Sequence, residues 1–468
     1  MEYDFGMVGL GTMGRNLLLN IADHGFAAIG FDKDISKAQL LESSATAGTN
    51  VKGVNSLADM ISQLKLPRKI MLLVPAGPIV DAVIKDLLPL VSQGDIIIDG
   101  GNSHFTDTLR RIDALKDQQV HFIGMGVSGG EEGARKGPSI MPGGDVEAWS
   151  VLQPILEAVS AKVNDQPCVA YMGKQAAGHY VKMVHNGIEY AIMQLISETY
   201  DILKRGVGLT NDELHQTFKQ WNEGELKSFL VEITAAVFSE NDPLTGNRLV
   251  DMILDKAGSK GTGKWTSQEA MDLPVSIPTI DMAVAMRDLS TYKDERVLAS
   301  GLYKPVIKSF TGDKEKNIQL AHDALYTGIL ICYAQGLAML QKASAERKMD
   351  IPLRDVVSIW RGGCIIRSSL LELFTAIYKK QPGLSNILLD KKIAALVKKK
   401  QRGFRKIIQQ CAGAKIPAAG LMSSLAYLDA YSSEKMPVNL IQAQRDLFGA
   451  HTYQRIDKEG SFHTEWTE

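Results

Sequence analysis

Lys182, His185, Asn186, Glu189 and Tyr190 fall within the run 178–200, which contains no proline and has apolar residues at Val181, Val184, Ile188, Ala191, Ile192 and Leu195. That periodicity predicts a long, buried helix. On it Lys182, Asn186, Glu189 and Tyr190 are offset by four, seven and eight positions, so they project from one side with His185 beside them. A cation, an amide and a carboxylate on an otherwise apolar helix must satisfy one another or meet a ligand, because unpaired charge is costly to bury. The first case is a polar network inside a helical core, and the second is an active site. The residues around the helix decide between them.

Gly9-Leu10-Gly11-Thr12-Met13-Gly14 lies between a β-type run and the expected helix 15–24, and Asp32 ends the next β-type run eighteen positions past Gly14. In that context the glycines let the backbone approach a pyrophosphate at a helix N-terminus, which predicts dinucleotide binding. Asp32 can accept hydrogen bonds from both adenosine ribose hydroxyls and would repel a 2′-phosphate. NAD is therefore the expected cofactor, with NADP the alternative because Lys33 is adjacent. Three further loops follow strand C-termini, the ligand side of an open α/β sheet. They are Val74-Pro75-Ala76-Gly77, Asp99-Gly-Gly-Asn102-Ser103 and Gly126-Val-Ser128-Gly129-Gly130. The last offers a hydroxyl and unhindered N–H groups to a carboxylate. Gly258 to Thr266 nearly spells a P-loop, but Trp265 stands where a magnesium-binding hydroxyl would be needed. It reads instead as a basic loop that wraps an anion. No His or carboxylate spacing fits a metal site, so a metal-free enzyme is expected.

These segments need elements to hold them. Up to about residue 173, β-type runs at 5–8, 27–31, 69–74, 95–99, 121–125 and 168–172 alternate with helical ones, and runs such as Ile96-Ile97-Ile98 are continuously apolar. Strands covered on both faces look like this, so a doubly wound parallel sheet of Rossmann type is predicted. Helical stretches dominate from there to about Met436. The expected units are a dinucleotide-binding domain, 1–176, a large all-α domain, 177–436, and a C-terminal tail, 437–468. A chain of 468 residues with 45% hydrophobic and 22% charged residues suits such a multidomain globular protein. Its formal net charge of -1 gives no sign of a nucleic-acid or membrane partner. Four scattered cysteines and a first strand that starts almost at Met1 point to a cytoplasmic protein without a signal peptide. The apolar stretch 324–340 carries Tyr326, Tyr333 and Gln335 and is expected to be a core helix.

The fingerprint turn, D-G-G-N-S from Asp99, V-S-G-G-E-E-G-A from Val127, I-M-P-G-G from Ile140, K-M-V-H-N-G-I-E-Y from Lys182, K-G-T-G-K-W-T from Lys260 and N-L-I-Q-A-Q-R-D-x-F-G-A-H-T-Y from Asn439 stand in register along the whole chain. Together they resemble the decarboxylating 6-phosphogluconate dehydrogenases. The resemblance implies a homodimer whose tails thread into the neighbouring subunit, and the oxidation of 6-phosphogluconate to ribulose 5-phosphate and carbon dioxide. It implies Lys182 as the base and Glu189 as the acid. It implies that Ser128, Gly129, Gly130, His185 and Asn186 hold the carboxylate end and hydroxyls, with Asn102 between substrate and cofactor. Tyr190, Lys260, Thr262 and Arg287 would surround the phosphate, joined by Arg445 and His451 of the partner subunit. The cofactor side would comprise residues 9–14, Asp32, Lys33, Asp34, Val74, Pro75, Ala76 and Asn102. Many members carry Asn-Arg-Ser/Thr where this chain has Asp32-Lys33-Asp34, and Lys where it has Pro75, which again favours NAD. A related β-hydroxyacid dehydrogenase would not need the Lys260 loop or the Arg445 tail. A non-catalytic dinucleotide-binding regulator should have lost Lys182 or Glu189.

Overall fold

The apolar runs of residues 5–128 become strands buried on both faces. A computed structural model describes residues 2–466 and contains β1 (Phe5–Val8), β2 (Ala28–Phe31), β3 (Val51–Val54), β4 (Lys69–Leu72), β5 (Ile96–Asp99), β6 (His121–Ser128) and β7 (Ser139–Gly144). Their order is β3-β2-β1-β4-β5-β6-β7. All neighbours pair in parallel except β6 and β7, which run antiparallel from Ile123↔Gly144 to Ser128↔Ser139. Strand order reverses between β1 and β4, which opens a crevice at their carboxyl ends. Separate apolar clusters cover the two faces of the sheet.

Four local readings are corrected. The helix after the glycine turn begins at Thr12, three residues earlier than expected, and ends at Asp23. Strand β3 was not anticipated, because Lys52 and Gly53 interrupt a short run; Gly53 is needed there, since a Cβ would lie 2.5 Å from the Ala38 carbonyl oxygen. Segment 168–172 is not a regular strand. It runs beside β7, with Ile140 N–H bonding to Cys168 O and Met172 N–H to Pro142 O, but only Val169 bridges Ile140. Pro142 has no N–H to donate, so the ladder loses the bond between those two. Strand β7 itself was hidden by Pro142, Gly143 and Gly144, which read as turn residues.

Beyond residue 176 the described chain is helical. Residues predicted to form one long helix do so as Ala177–Asp201, 25 residues with most side chains buried. It lies against a 33-residue helix, Lys314–Glu346, at glycines: a Cβ on Gly336 would come within 2.5 Å of Ile188 and one on Gly328 within 2.7 Å of Leu195. Lys314–Glu346 is long and apolar enough to cross a membrane, but 89% of its apolar window is buried inside the protein. Cys168, Cys332, Cys364 and Cys411 are all buried free thiols.

Candidate active site

Backbone contact between sheet and helix sets the position of Lys182. Strand β6 presents Gly124 and Gly126, and β7 presents Gly143, to the first two turns of Ala177–Asp201. A Cβ on Gly126 would lie 2.4 Å from Lys182 Cβ, one on Gly143 2.2 Å from Gly178 N, and one on Gly178 2.1 Å from Gly124 O. No larger residue fits at these three points, so the helix lies directly on the sheet where β6 ends in Ser128. Gly129 (φ 115°) and Gly130 (φ 64°) then turn the chain in a left-handed conformation that favours glycine. A Cβ on Gly129 would meet Gly363 O at 2.6 Å, whereas one on Gly130 would meet nothing within 4 Å. Gly130 therefore faces open space with its backbone uncovered, as a carboxylate cradle requires.

Around this turn the helix gathers its polar residues. Lys182 is 7% exposed, His185 0% and Asn186 9%. His185 Nε2 lies 3.4 Å from Ser128 Oγ, and its Nδ1 lies 3.0 Å from Asn186 Oδ1. The histidine thus carries its proton on Nδ1 and accepts from Ser128 on Nε2. Burial, and then the nearby Lys182, lowers the His185 pKa well below the ordinary histidine value, so its 3.8 Å approach to Glu189 Oε2 is not an ion pair at neutral pH. Burial likewise lowers the pKa of Lys182, against the opposing pull of Glu189 and of the buried Cys364 thiol. Burial raises that of Glu189, opposed by Lys182 and Arg287. Both groups are displaced toward neutrality, which suits a neutral amine as base and a carboxylic acid as proton donor.

A second site region forms where helix Thr262–Asp272 crosses the lysine helix. A Cβ on Gly187 would lie 2.6 Å from Thr266, and one on Gly263 would lie 2.4 Å from the Tyr190 ring. Thr266 Oγ1 also donates to Met183 O at 2.9 Å. These contacts bring Thr262, 6% exposed, and the left-handed Gly261 (φ 92°) beside Tyr190, with Lys260 next to them on the exposed loop. The Arg287 guanidinium stacks 3.7 Å from the Tyr190 ring centroid and donates to Gly258 O at 3.4 Å. Two cations, a hydroxyl and a phenol therefore share one corner, a composition suited to a dianion.

The glycine turn fits a dinucleotide. Gly9 has φ 96°, and a Cβ there would lie 2.5 Å from Leu73 O; on Gly14 it would lie 1.9 Å from Gly9 O. On Gly11 it would meet nothing within 4 Å, so the backbone is bare at the N-terminus of Thr12–Asp23, and no side chain caps that helix. Asp32 anchors the turn by accepting Leu10 N–H at 2.8 Å, and Lys37 Nζ lies 3.3 Å from its other oxygen. A cavity of about 530 Å³ lies alongside, lined by Gly9, Gly11, Asp32, Lys33, Val74 and Pro75 among others. Met13 is half-buried beside the turn. Asp34 and Ala76 are not in that lining: Asp34 instead caps the next helix by accepting Ser36 N–H at 3.1 Å. Asn102 is exposed in the Asp99–Ser103 loop, between cavity and lysine helix in sequence.

A family model described as the NAD binding domain of 6-phosphogluconate dehydrogenase matches residues 4–186, and one described as the 6-phosphogluconate dehydrogenase C-terminal domain matches 178–466. The chain belongs to the 6-phosphogluconate dehydrogenase family. It is 51% identical over 466 residues to the NADP(+)-dependent decarboxylating 6-phosphogluconate dehydrogenase of Bacillus subtilis (strain 168), with 99% of each chain covered. A decarboxylating 6-phosphogluconate dehydrogenase of Lactococcus lactis (strain IL1403) is 49% identical, again over 99% of each chain. In three dimensions it matches the Plasmodium falciparum 6-phosphogluconate dehydrogenase with a TM-score of 0.97 and 42% identity, covering 99% of this chain and 100% of that one. That enzyme was solved in its apo form, with NADP+ and with 6-phosphogluconate.

Two of the residues implied by the family resemblance stand apart. Arg445 and His451 lie on helix Val438–Gly449 and the turn after it, where Arg445 donates to Gln442 at 3.3 Å and the His451 ring meets Phe448 edge-on. Among the described residues, no hydrogen bond or ion pair joins either one to the other candidate site residues. Other residues were missed altogether. Arg111, 2% exposed, bonds to Asp99 at 3.1 Å, to Gly77 O at 3.0 Å and to Asp81 at 2.8 Å, tying the Val74–Gly77 and Asp99–Ser103 loops together. Ser103 donates to the same Asp99 at 2.6 Å. The Thr108 hydroxyl and His179 Nδ1, 2.7 Å apart, fill the space under these loops. Arg111 sits in an ordinary amphipathic helix, Phe105–Lys116, and nothing in its local sequence marks it.

Proposed function

We propose that Lys182 and Glu189 carry out the acid–base steps of the family reaction on this chain, oxidising and decarboxylating 6-phosphogluconate to ribulose 5-phosphate with reduction of NAD(P). The observation that carries this reading is the desolvated Lys182 beside Glu189, one turn from the Ser128–Gly130 cradle. Bound nicotinamide would supply the two-electron acceptor. Neutral Lys182 takes the proton from the hydroxyl on carbon 3 as that carbon is oxidised. The resulting ketone lies β to the carboxylate, so the electrons of the breaking C–C bond delocalise onto the ketone oxygen, where protonated Lys182 stabilises them. Glu189 then protonates carbon 1 of the enediol. Ser128, Gly129, Gly130, His185 and Asn186 orient the carboxylate end, and Tyr190, Lys260, Thr262 and Arg287 hold the phosphate. The direct test follows cofactor reduction together with carbon dioxide release. Absence of both at saturating 6-phosphogluconate, with either nucleotide, would rule the assignment out.

The pH profile follows from the two displaced groups. Lys182 must be unprotonated, so kcat falls as pH drops through its pKa; Glu189 must be protonated, so kcat falls as pH rises through its own. Glu189→Gln should lower turnover more than it lowers the oxidation step and should remove the alkaline limb. An alkaline limb unchanged in that variant assigns it to another group.

For the cofactor, Asp32 in the adenosine cavity supports NAD as the preferred acceptor. A 2′-phosphate brought beside that carboxylate would be repelled, while a ribose diol can donate to it. We expect kcat/KM to be at least about tenfold higher for NAD than for NADP, and Asp32→Asn to narrow the ratio by about tenfold or more. Higher kcat/KM with NADP in the unmodified protein would mean that Lys33 and Lys37 outweigh Asp32.

The assembly is read as a homodimer with shared sites. Leu440, Ile441, Leu447 and Phe448 of the tail are 56–70% exposed, and Leu298, Leu302 and Tyr303 of helix Lys293–Tyr303 are 72–83% exposed. Covering each such side chain is worth about 1.5–3 kcal/mol, so a second copy of the chain has much to gain by burying them. The units 1–176, 177–436 and 437–468 belong to this reading, with the lysine helix opening the second. Four unpaired buried thiols suit a reducing, cytoplasmic setting.

A further inference from the structure

The tail that carries Arg445 and His451 is built around one carboxylate. Asp446 is fully buried although its neighbours Arg445 and Leu447 are exposed. One of its oxygens accepts Thr452 N–H at 2.9 Å and lies 2.9 Å from His463 Nδ1; the other accepts Thr464 N–H at 3.1 Å and Trp466 Nε1–H at 2.8 Å. Burial works against its ionisation, yet the bonds from His463, Trp466 and Thr464 prevail and hold its pKa at about 2.

What these bonds restrain is a strained turn. Ala450 (φ 50°) and Thr452 (φ 59°) both adopt the left-handed conformation, and they flank His451. For a β-branched threonine this conformation is an outlier that persists only when its surroundings impose it. Thr452 is fixed at three points: its N–H by Asp446, its carbonyl by Gln442 Nε2 at 2.5 Å, and its hydroxyl by Ser461 at 3.1 Å. Gln442 also accepts from Arg445 through its oxygen, so Arg445 and the turn that bears His451 share one clamp.

We propose that Asp446 is a positioning residue: it holds the Ala450–Thr452 turn in its strained form so that His451 and Arg445 reach the substrate phosphate as a preformed pair. This rests on the reading of those two residues as phosphate ligands. Without the carboxylate, the turn relaxes and the pair must be ordered at each binding event, which weakens substrate affinity and leaves the chemistry on Lys182 untouched.

The test is steady-state kinetics on Asp446→Asn, Trp466→Phe and Arg445→Ala as full-length protein. Asp446→Asn should raise the KM for 6-phosphogluconate by at least about tenfold and Trp466→Phe by about two- to threefold, with kcat and the dinucleotide KM within about twofold of the unmodified protein. General damage to the fold would lower kcat and shift both KM values. The proposal is overturned if both variants leave the substrate KM unchanged, or move the dinucleotide KM equally far. Should Asp446→Asn fail to fold, Trp466→Phe decides by the same criterion. An unchanged substrate KM in Arg445→Ala sinks the phosphate-ligand reading itself. A raised KM there, with Asp446→Asn and Trp466→Phe unaffected, sinks only the role of Asp446.

Discussion

Replacing Lys182 by methionine is expected to lower kcat by about 10²- to 10⁴-fold, the span over which a positioned general base acts, while 6-phosphogluconate still binds with nearly its original affinity. Methionine matches the length of the lysine stem, so the helix should still seat on Gly126, where a Cβ would lie 2.4 Å from Lys182 Cβ. The amine alone is removed. His185 is the nearest alternative base, but burial and Lys182 depress its pKa, and its Nε2 already faces the Ser128 hydroxyl. Lys182→Arg should be nearly as damaging, because a guanidinium keeps its charge at any working pH and cannot accept the proton. Single-turnover absorbance for the oxidation step, with calorimetric binding of the substrate, separates chemistry from affinity. A Lys182→Met protein that turned over within about tenfold of the unmodified one would make the lysine helix a structural element and leave the base unassigned.

At 6-phosphogluconate well below the KM of the Arg445→Ala protein, mixing that chain with Lys182→Ala is expected to restore activity. Arg445→Ala removes the proposed fork for a doubly charged phosphate, and Lys182→Ala removes the proposed base. In a mixed dimer with shared sites, the chain with intact Lys182 receives Arg445 from the other, so one of its two sites is complete. Random exchange of equal amounts makes about half of the dimers mixed, so recovery should approach about one quarter of the unmodified activity. The exposed tail residues, and the absence of bonds from Arg445 or His451 to other site residues among those described, motivate this arrangement. Exchange is verified by differently tagged chains. If mixed dimers are recovered and remain inactive, each tail serves its own subunit.

What the sequence determined by itself was whatever local pattern can carry. The strand–turn–helix around Gly9, Gly11 and Gly14 was legible because glycine spacing and apolar runs are short-range features, and the helix Ala177–Asp201 because its apolar period continues for 25 residues without interruption. Motifs as long as those at Lys182 and Asn439 carried the family. The tertiary structure alone decided the rest. Strand β3 exists because β2 offers an edge, and segment 168–172 fails as a strand because Pro142 on a neighbouring segment lacks an N–H. Gly126 reads as a loop residue and Gly143 gives no sign of a strand until the helix is laid on them, and only then do they explain why Lys182 is buried at the cradle. Arg111 shows no local signal, since Asp99, Asp81 and Gly77, which accept from it, lie 12 to 34 residues away at a strand end, in a helix and in a loop. Asp446 is likewise an unremarkable acid in a polar run, and it becomes the centre of the tail only when residues up to 20 positions later fold back to donate to it. A hydrogen bond between distant residues depends on where the chain returns, and that is set by packing over the whole molecule rather than by any window of sequence.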